Sequence, residues 1–530
     1  MVYLAGHKDH SSNGLDRFHR KKRVLMVQKK TVYASLFGII TLVLICVIGA
    51  QARVAPQFGG YWIVGLMLVL CLIIAIGWQR RWRCSVETDF PVYSAVLLFY
   101  ALIIVLVGSI HFAGLAMIPG EMEINQFNVH AFNAMKQERA FALYYLLFPA
   151  MVLTQIELQR VVSLQAVIRC LFFAGLLTAI VSIYQVFFDS TFLHAMSWGE
   201  RYEGLATDPN ALALSCFLLV PLLAIGCWIE KLSIIRLFYL LLILMLGIAV
   251  WGTGNRTGFV GICLLLLSFP WVLSVAMNHW SLRRRLMLGL LPVAVCFAGL
   301  IFASSMMTVV ENTGLTGERL AGTWKKFEAQ GIHGVFFQEE HRGRYLVTGI
   351  DLVSEAPWAG WGPAGFYREA TNMFYLRHGW RGDFRDSALN HYLMIASDFG
   401  LPAMAINLAI LFSPVALGIV VFRRVCDVRP RLILAALISS NLLFLLLVFT
   451  IPPSYFLGAV WLWSVHLVVL LMLARQHGVA LRFPQSSTIR RAIMASAILL
   501  TLIVLAGSYE TSFGDHGYAV RAQHAWWKSG

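Results

Sequence analysis

Charged side chains are scarce in this sequence: of 530 residues, 13% are Asp, Glu, Lys or Arg, whereas 59% are hydrophobic. A typical soluble domain contains about 25% charged and about 45–50% apolar residues. The apolar residues come in blocks of about 17–25, the length that a helix needs to cross about 30 Å of hydrocarbon. Blocks of this length exclude a soluble multidomain enzyme, so the sequence predicts an all-α polytopic membrane protein.

Cysteine motifs and targeting motifs are also lacking. The chain has nine cysteines, but it contains no C-x-x-C pair and no spacing typical of zinc ligands. The sequence therefore offers no disulfide framework, and it predicts neither a metal site nor a cofactor. The first 30 residues contain HRKKR and KK without a signal-peptide cleavage pattern, which indicates a basic cytoplasmic stub.

The apolar blocks predict about 13 transmembrane helices. We place them at 31–50, 61–78, 92–116, 141–157, 168–188, 211–229, 237–254, 258–277, 287–306, 399–422, 432–451, 457–474 and 492–508. Alternation from a cytoplasmic N terminus then puts 26 Lys and Arg and only 7 Asp and Glu in the inner segments, against 16 and 20 in the remainder. This asymmetry follows the positive-inside rule, and it explains the net charge of +15 without a nucleic-acid partner.

The predicted topology divides the chain into five parts and places the C terminus on the outer side of the membrane, which is the periplasmic side of a bacterial inner membrane if the resemblance given below holds. The parts are the cytoplasmic stub 1–30, helices 1 to 9 at 31–306 with an outer loop at 189–210, a large periplasmic loop at 307–398 that contains helices, helices 10 to 13 at 399–508, and a periplasmic tail at 509–530. All nine cysteines fall in predicted spans or inner loops.

The outer side carries the chemistry-bearing residues, because the inner loops are short and basic. Arg256 lies in the turn WGTGNRTGF at 251–259, between two spans. Arginine beside hydrocarbon is costly, so such residues usually have a function. A guanidinium beside the free N–H groups of a helix N-terminus forms a site for an anion such as phosphate. The alternative is an arginine that reaches to lipid headgroups.

Two further outer segments carry candidate residues. In ERYEGLATDPN, Asp208 is expected to cap a helix that begins at Pro209, whereas Arg201 is a second possible anion ligand. The long loop contributes Arg342 and Arg344 at the start of a predicted helix, followed by a Gly-rich segment. Its tryptophans, above all Trp358 and Trp361, could stack on sugar rings, although membrane-interface tryptophans are the alternative.

Three elements follow one another along the chain: RxxG…DPNxxAL from Arg201, GxRTG at 254–258, and an outer loop with SEAPWAGWGPAGFY and then NHYLMIASDFGLPAM. Together they resemble the bacterial O-antigen ligase / O-antigen polymerase superfamily over residues 200–420. The resemblance implies a metal-independent, inverting glycosyltransferase that takes a glycan linked to undecaprenyl diphosphate from the outer leaflet and transfers it to an acceptor glycan. Arg256, then Arg201 and Arg344 or Arg342, would bind the diphosphate. A flippase and a chain-length regulator are further expected partners.

The chain departs from the family where a histidine is usual. The family pattern is His-Asn-x-Tyr-Leu, and Leu389 occupies the histidine position, whereas His391 follows two residues later. On a continuous helix, His391 shares a polar face with Asn390 and Asp398, while Leu389 lies on the apolar back. We therefore predict His391 as the base or an acceptor-orienting group and Asn390 as a glycan contact. Asp386 is the first substitute base, and Asp383, Glu339 and Glu340 are the others.

Several functions remain open at this point. A polymerase of O-antigen, capsule or exopolysaccharide is favoured by the thirteen spans, the long outer loop and Leu389. An O-antigen ligase or O-oligosaccharyltransferase would use the same donor with another acceptor. A transporter of the lipid-linked glycan would have charges in mid-span and broken helices, neither of which is clear in the sequence. A non-catalytic assembly subunit is a further alternative.

Overall fold

A computed structural model describes most of the membrane-embedded chain. The described residues are 61–84, 91–116, 145–158, 162–193, 201–206, 208–277, 280–301, 309–312, 315–336, 340–366, 388–450, 457–479 and 486–513, with the single positions 40, 369, 370, 373 and 377. Every regular element in this part of the chain is a helix, and it contains no strand. The predicted all-α fold is confirmed for these residues.

Fourteen helices are used in the description below. They are α1 (Tyr61–Cys84), α2 (Pro91–Ala116), α3 (Tyr145–Leu158), α4 (Leu164–Phe187), α5 (Pro209–Ile229), α6 (Ser233–Gly252), α7 (Arg256–Ala276), α8 (Leu282–Ile301), α9 (Leu315–Phe336), α10 (Glu340–Glu355), α11 (His391–Phe422), α12 (Val428–Leu447), α13 (Leu457–Gln476) and α14 (Ser487–Phe513).

Within the described residues, nine helices are long and apolar enough to cross a membrane: α2, α4 to α7 and α11 to α14. Each coincides with a predicted span. The first predicted span lies outside the described residues apart from Ile40, as do the stub 1–30 and the tail after Phe513. The count of thirteen spans and the division into domains therefore stay predictions.

Helices α5 and α13 form the centre of the bundle, since most of their residues are buried, whereas α14 exposes most of its surface. Small side chains allow close packing where α7 begins beside α5. A Cβ added to Gly258 would lie 2.5 Å from the Cβ of Ala213, so the two backbones approach more closely than larger residues would permit. This contact places the start of α7 against the start of α5.

Basic residues join the helices at the opposite end of the bundle. The Arg169 Nη2 atom lies 3.1 Å from Glu230 Oε1 and connects α4 to the loop after α5. Arg431 donates from Nη2 to the carbonyl oxygen of Val275 at 3.3 Å and connects α12 to α7. These are the ends that the charge distribution assigns to the cytoplasm, an orientation that stays a prediction.

Helix α11 is broken at Gly400, which has φ 82° and ψ 170°. The break makes the helix fold back on itself, because His391 Nε2 lies 2.9 Å from Asn407 Oδ1. A continuous helix would separate these two residues by about 24 Å along its axis, at 1.5 Å per residue. The sequence did not predict this break.

The Gly-rich hairpin, residues 357–366, fills the break in α11. Trp361 N and Gly362 N donate to the carbonyl oxygens of Ser397 and Asp398 at 2.7 and 2.9 Å. Backbone groups that the break removes from helical hydrogen bonding are thereby paired, as they must be in an apolar environment. The hairpin also reaches α2, where a Cβ on Gly108 would lie 3.3 Å from the ring of Pro363. Part of the predicted outer loop is thus built into the bundle.

Candidate functional site

The turn between α6 and α7 is the framework of the site. Helix α6 ends at Gly252, and Asn255 caps α7 by accepting from Gly258 N at 2.6 Å. Gly254 has φ 65°, a left-handed conformation that glycine adopts without the steric cost of a Cβ. Arg256 is the first residue of α7, which begins two positions before the predicted span 258–277.

Arg201 lies against this turn. Its Nε atom donates to the carbonyl oxygen of Thr253 at 2.9 Å, and its Nη2 atom donates to Asn210 Oδ1 at 3.1 Å. Asn255 Nδ2 donates to the same Asn210 oxygen. Asn210, which the sequence analysis left without a role, therefore links Arg201 to the turn. Asp208 caps α5, as predicted, by accepting from Asn210 N at 2.5 Å.

A third arginine, which the sequence analysis did not single out, reaches the turn from α9. Arg319 donates from Nη1 to the carbonyl oxygen of Gly254 at 3.1 Å. One helical turn further, Thr323 Oγ1 accepts from Arg256 Nη1 and donates to the carbonyl oxygen of Arg319 at 2.8 Å. Arginine is a residue type that marks a candidate anion ligand. No local pattern in the sequence, however, pairs two residues that are 63 positions apart, as Arg256 and Arg319 are.

The electrostatics of this turn favour an anion. Carbonyl groups at the C-terminal end of α6 carry partial negative charge, which holds two arginines at the turn: Arg201 donates to Thr253 and Arg319 donates to Gly254. The N-terminal end of α7, with its partial positive charge, adds to the charge of Arg256. We call the guanidinium groups of Arg201, Arg256 and Arg319 the arginine cluster. Their positive charges repel one another, so a bound phosphate or diphosphate would stabilise the arrangement.

The other predicted diphosphate ligands lie on a different helix. Arg344 is half-buried on α10, which packs against α11, where a Cβ on Gly349 would lie 3.3 Å from Leu393. The side chain of Arg342 lies outside the described residues. The contacts above therefore assemble Arg201 and Arg256 with Arg319, whereas Arg344 lies on α10.

The predicted glycan contacts have three different environments. Trp358 is 56% exposed at the start of the Gly-rich hairpin. Trp361 is only 1% exposed and donates from Nε1 to the carbonyl oxygen of Leu352 at 3.0 Å, so its indole is part of the core and presents no face to a sugar. Asn390 is the N-cap of α11 and accepts from Tyr392 N and Leu393 N. Burial and capping thus give Trp361 and Asn390 structural roles.

His391 is buried, in contrast to the water-facing position that we predicted. It is 3% exposed, and its Nε2 atom lies 2.9 Å from Asn407 Oδ1. Asn407 in turn donates from Nδ2 to the Tyr100 hydroxyl at 3.1 Å. Because Asn407 Oδ1 must then accept, His391 carries its proton on Nε2. Its Nδ1 atom has no hydrogen-bond partner among the described residues, and His391 lines, with Tyr145 and Trp463, a cavity of about 10 Å³, room for one water.

The polar face predicted around His391 is buried as a whole. Helix α11 begins at His391, and Leu389 has φ 52°, so the continuous helix that we extended back through Leu389 does not form. Asp398 is fully buried, and its carboxylate accepts from the Tyr145 hydroxyl at 2.7 Å and from Phe366 N at 2.9 Å. Asp398 therefore ties α3 and the Gly-rich hairpin to α11.

Asp386, Asp383 and Glu339 lie outside the described residues, and so does the side chain of Glu340. Among the residues that are described, no three His, Cys, Asp or Glu side chains come together as a metal ion would require.

The fold and the arginine cluster define a multi-pass membrane protein with an anion-binding geometry at one end of its helices. Residues 240–408 match the family model described as O-Antigen ligase, which confirms the resemblance to the O-antigen ligase / O-antigen polymerase superfamily. This segment is therefore similar to the O-antigen ligase family, and it belongs to a chain with several helices long and apolar enough to cross a membrane. The matched segment contains Arg256, Arg319 and His391 but not Arg201. No curated protein is significantly similar to the chain.

Proposed function

We propose that the protein is an inverting glycosyltransferase that polymerises repeat units carried on undecaprenyl diphosphate, at the outer face of the inner membrane. The observation that supports this proposal is the arginine cluster around residues 253–256, at one end of helices long enough to span a bilayer. A glycan donor with a diphosphate beside a membrane-embedded tail matches such a site in both charge and position. The O-Antigen ligase family match supports the same substrate class.

In the proposed reaction, a hydroxyl oxygen of the acceptor glycan attacks the anomeric carbon of the donor sugar. The bond between that carbon and the diphosphate oxygen breaks, and its electron pair stays on the diphosphate. Attack from the opposite face inverts the anomeric configuration. Arg256 and Arg201 stabilise the negative charge that grows on the leaving group. The hydroxyl proton passes to a base, and undecaprenyl diphosphate is released.

We propose Asp386 as the catalytic base, because the burial of His391 argues against that role for the histidine. His391 is only 3% exposed among core side chains, where the hydroxyl of an acceptor sugar does not reach its ring. We propose instead that His391 is a positioning residue. Its ring contacts Asn407 on the folded-back arm of α11, and its backbone N–H donates to the Val448 carbonyl oxygen at 2.9 Å.

The variant His391→Gln tests this positioning role. Glutamine keeps a hydrogen-bonding group near Asn407, so we expect folded protein, most of the polymerising activity and an unchanged pH profile. His391→Ala should lower stability by roughly 2–5 kcal/mol, because it leaves a buried cavity. Thermal unfolding and rate-against-pH curves measure both effects. A His391→Gln protein that is folded but keeps only residual activity, and whose residual rate no longer falls at low pH as the wild-type rate does, would instead make His391 the base.

Polymerisation is preferred to ligation because of residues on the outer side. Leu389 stands where the family usually has a histidine, and its side chain packs against the hydrophobic core. The predicted outer loop 307–398 supplies two helices, α9 and α10, that could present a growing chain. A ligase or O-oligosaccharyltransferase remains the alternative, with the same donor and a different acceptor.

A transporter is the second candidate, and the break in α11 is the observation that favours it. Transporters commonly build substrate and ion sites from broken helices. In this chain, however, the hairpin occupies the break: Leu401 N donates to the Pro357 carbonyl oxygen at 2.7 Å, beside the Trp361–Ser397 pair. These hydrogen bonds close the break, and we therefore rank transport below transfer.

Deletion with complementation tests the proposal, with surface-glycan length read on a gel. A polymerase deletion leaves single repeat units attached, a ligase deletion accumulates long chains on the carrier lipid, and a transporter deletion traps carrier-linked units inside. Purified protein mixed with lipid-linked repeat units should yield a ladder of lengthened chains and free undecaprenyl diphosphate. Long carrier-linked chains in the deletion strain would contradict polymerisation.

A further inference from the structure

Helix α9 contributes Arg319 to the arginine cluster and contacts Arg256 through Thr323, on the same face of the helix. Arg319 and Thr323 lie four positions apart, so their side chains project from the same side of the helix. Arg319 reaches the Gly254 carbonyl oxygen at 3.1 Å, and Thr323 accepts from Arg256. The neighbouring residues Lys325 and Phe327 are exposed, so α9 covers the end of the turn as a surface helix.

We propose that Arg319 is a donor-binding residue, the third positive charge for the diphosphate, and that α9 holds it there through Thr323. This inference rests on the proposed function. Three hydrogen bonds connect these residues. Arg256 donates to the Thr323 hydroxyl, which donates in turn to the Arg319 carbonyl oxygen at 2.8 Å. The Arg319 guanidinium donates to the Gly254 carbonyl oxygen. Arg319 and Arg256 are therefore linked at the same turn through Thr323.

The charge of the leaving group explains why a third arginine is useful. A diphosphate that joins a sugar to a lipid carries one negative charge on each phosphate, which Arg201 and Arg256 match. When the bond to the sugar breaks, the phosphate on that side gains a further negative charge. A donor aimed at charge that develops in the transition state accelerates the reaction, whereas one that contacts the ground state equally does not. Arg319 supplies that additional charge.

Binding measurements with two lipids test the inference. Full-length protein in nanodiscs is titrated with undecaprenyl diphosphate, the product, and with undecaprenyl monophosphate. We expect Arg319→Ala to weaken binding of the diphosphate about ten- to hundredfold, the usual effect of losing a hydrogen bond between charged groups, and to weaken monophosphate binding much less. In turnover, kcat should fall more than the KM for the donor rises.

Two control variants separate charge from structure. Arg319→Gln can still donate to the Gly254 carbonyl oxygen but carries no charge, so we expect it to bind the diphosphate as poorly as Arg319→Ala does. Arg377→Ala removes another outer arginine, one that pairs with Glu355 at 2.7 Å, and should behave like the wild type. If Arg319→Gln retains wild-type binding and kcat, Arg319 only caps α6 and the inference is wrong.

The outcomes for Arg319 and Arg256 are distinguishable. An inactive Arg256→Ala protein together with a fully active Arg319→Ala protein would overturn the role of Arg319 and leave the proposed function intact. Full activity of Arg256→Ala would overturn the proposed function itself, whatever Arg319 does.

Discussion

We expect Arg256→Ala to stop chain growth while the helical bundle stays folded. Turnover of the lipid-linked donor should fall about 10²- to 10³-fold, the effect of removing one preorganised donor to developing charge. The physical reason is the position of Arg256: it is the first residue of α7, where the partial positive charge of the helix end adds to the guanidinium. Water cannot replace this fixed charge at comparable strength.

The measurement is turnover of purified protein in nanodiscs, together with glycan length in a complemented deletion strain. Arg256→Lys should recover only part of the loss, because an ammonium group lacks the planar fork of guanidinium N–H donors. Arg283→Ala is the matched control, since Arg283 is an exposed arginine in the first turn of α8, away from the arginine cluster. Wild-type chain lengths from Arg256→Ala would show that the turn at 253–256 binds no reacting group.

Local signals in the sequence predicted part of the site. An aspartate before Pro209 predicted the start of α5, which the structure confirms, whereas Asn255, which caps α7, was not recognised as a cap. Apolar block length likewise predicted the nine long helices, because span length is a property of a continuous segment. Arg201 and Arg256 were within reach of such reasoning, since each lies beside a helix start that the sequence marks.

Long-range contacts were beyond that reasoning. Arg319 and Thr323 meet Arg256 only because α9 folds back over the end of α6, and no local pattern states where a surface helix docks. His391 was predicted on a polar face of a continuous helix because its spacing from Asp398 fits one face. The break at Gly400 turned that face into the core. A single glycine at a positive φ angle therefore accounts for the largest error of prediction.

The break and the hairpin depend on two glycines that face each other, so Gly360→Ala should prevent correct folding. Gly360 has φ 66°, and a Cβ there would lie 2.5 Å from Asp398 C and from Phe399 N. Both obstacles are backbone atoms, which cannot rotate away as a side chain can. Gly400 is in the reciprocal position, with its Cβ site against the backbone of Trp358. Steric overlap costs about 1–3 kcal/mol or more, and the left-handed conformation adds about 1–2 kcal/mol.

A loss of this size is a large share of the 5–15 kcal/mol that typically separates folded from unfolded protein. Size-exclusion profiles and thermal unfolding in detergent should therefore show little folded Gly360→Ala protein. Gly478→Ala isolates the backbone term, since Gly478 has φ 69° with no atom within 4 Å of a Cβ, and should cost only about 1–2 kcal/mol. Gly247→Ala, in open space within α6, should be neutral or slightly stabilising. If Gly360→Ala unfolds no earlier than Gly478→Ala, the hairpin does not pack into the break of α11, and the fold-back that buries His391 loses its support.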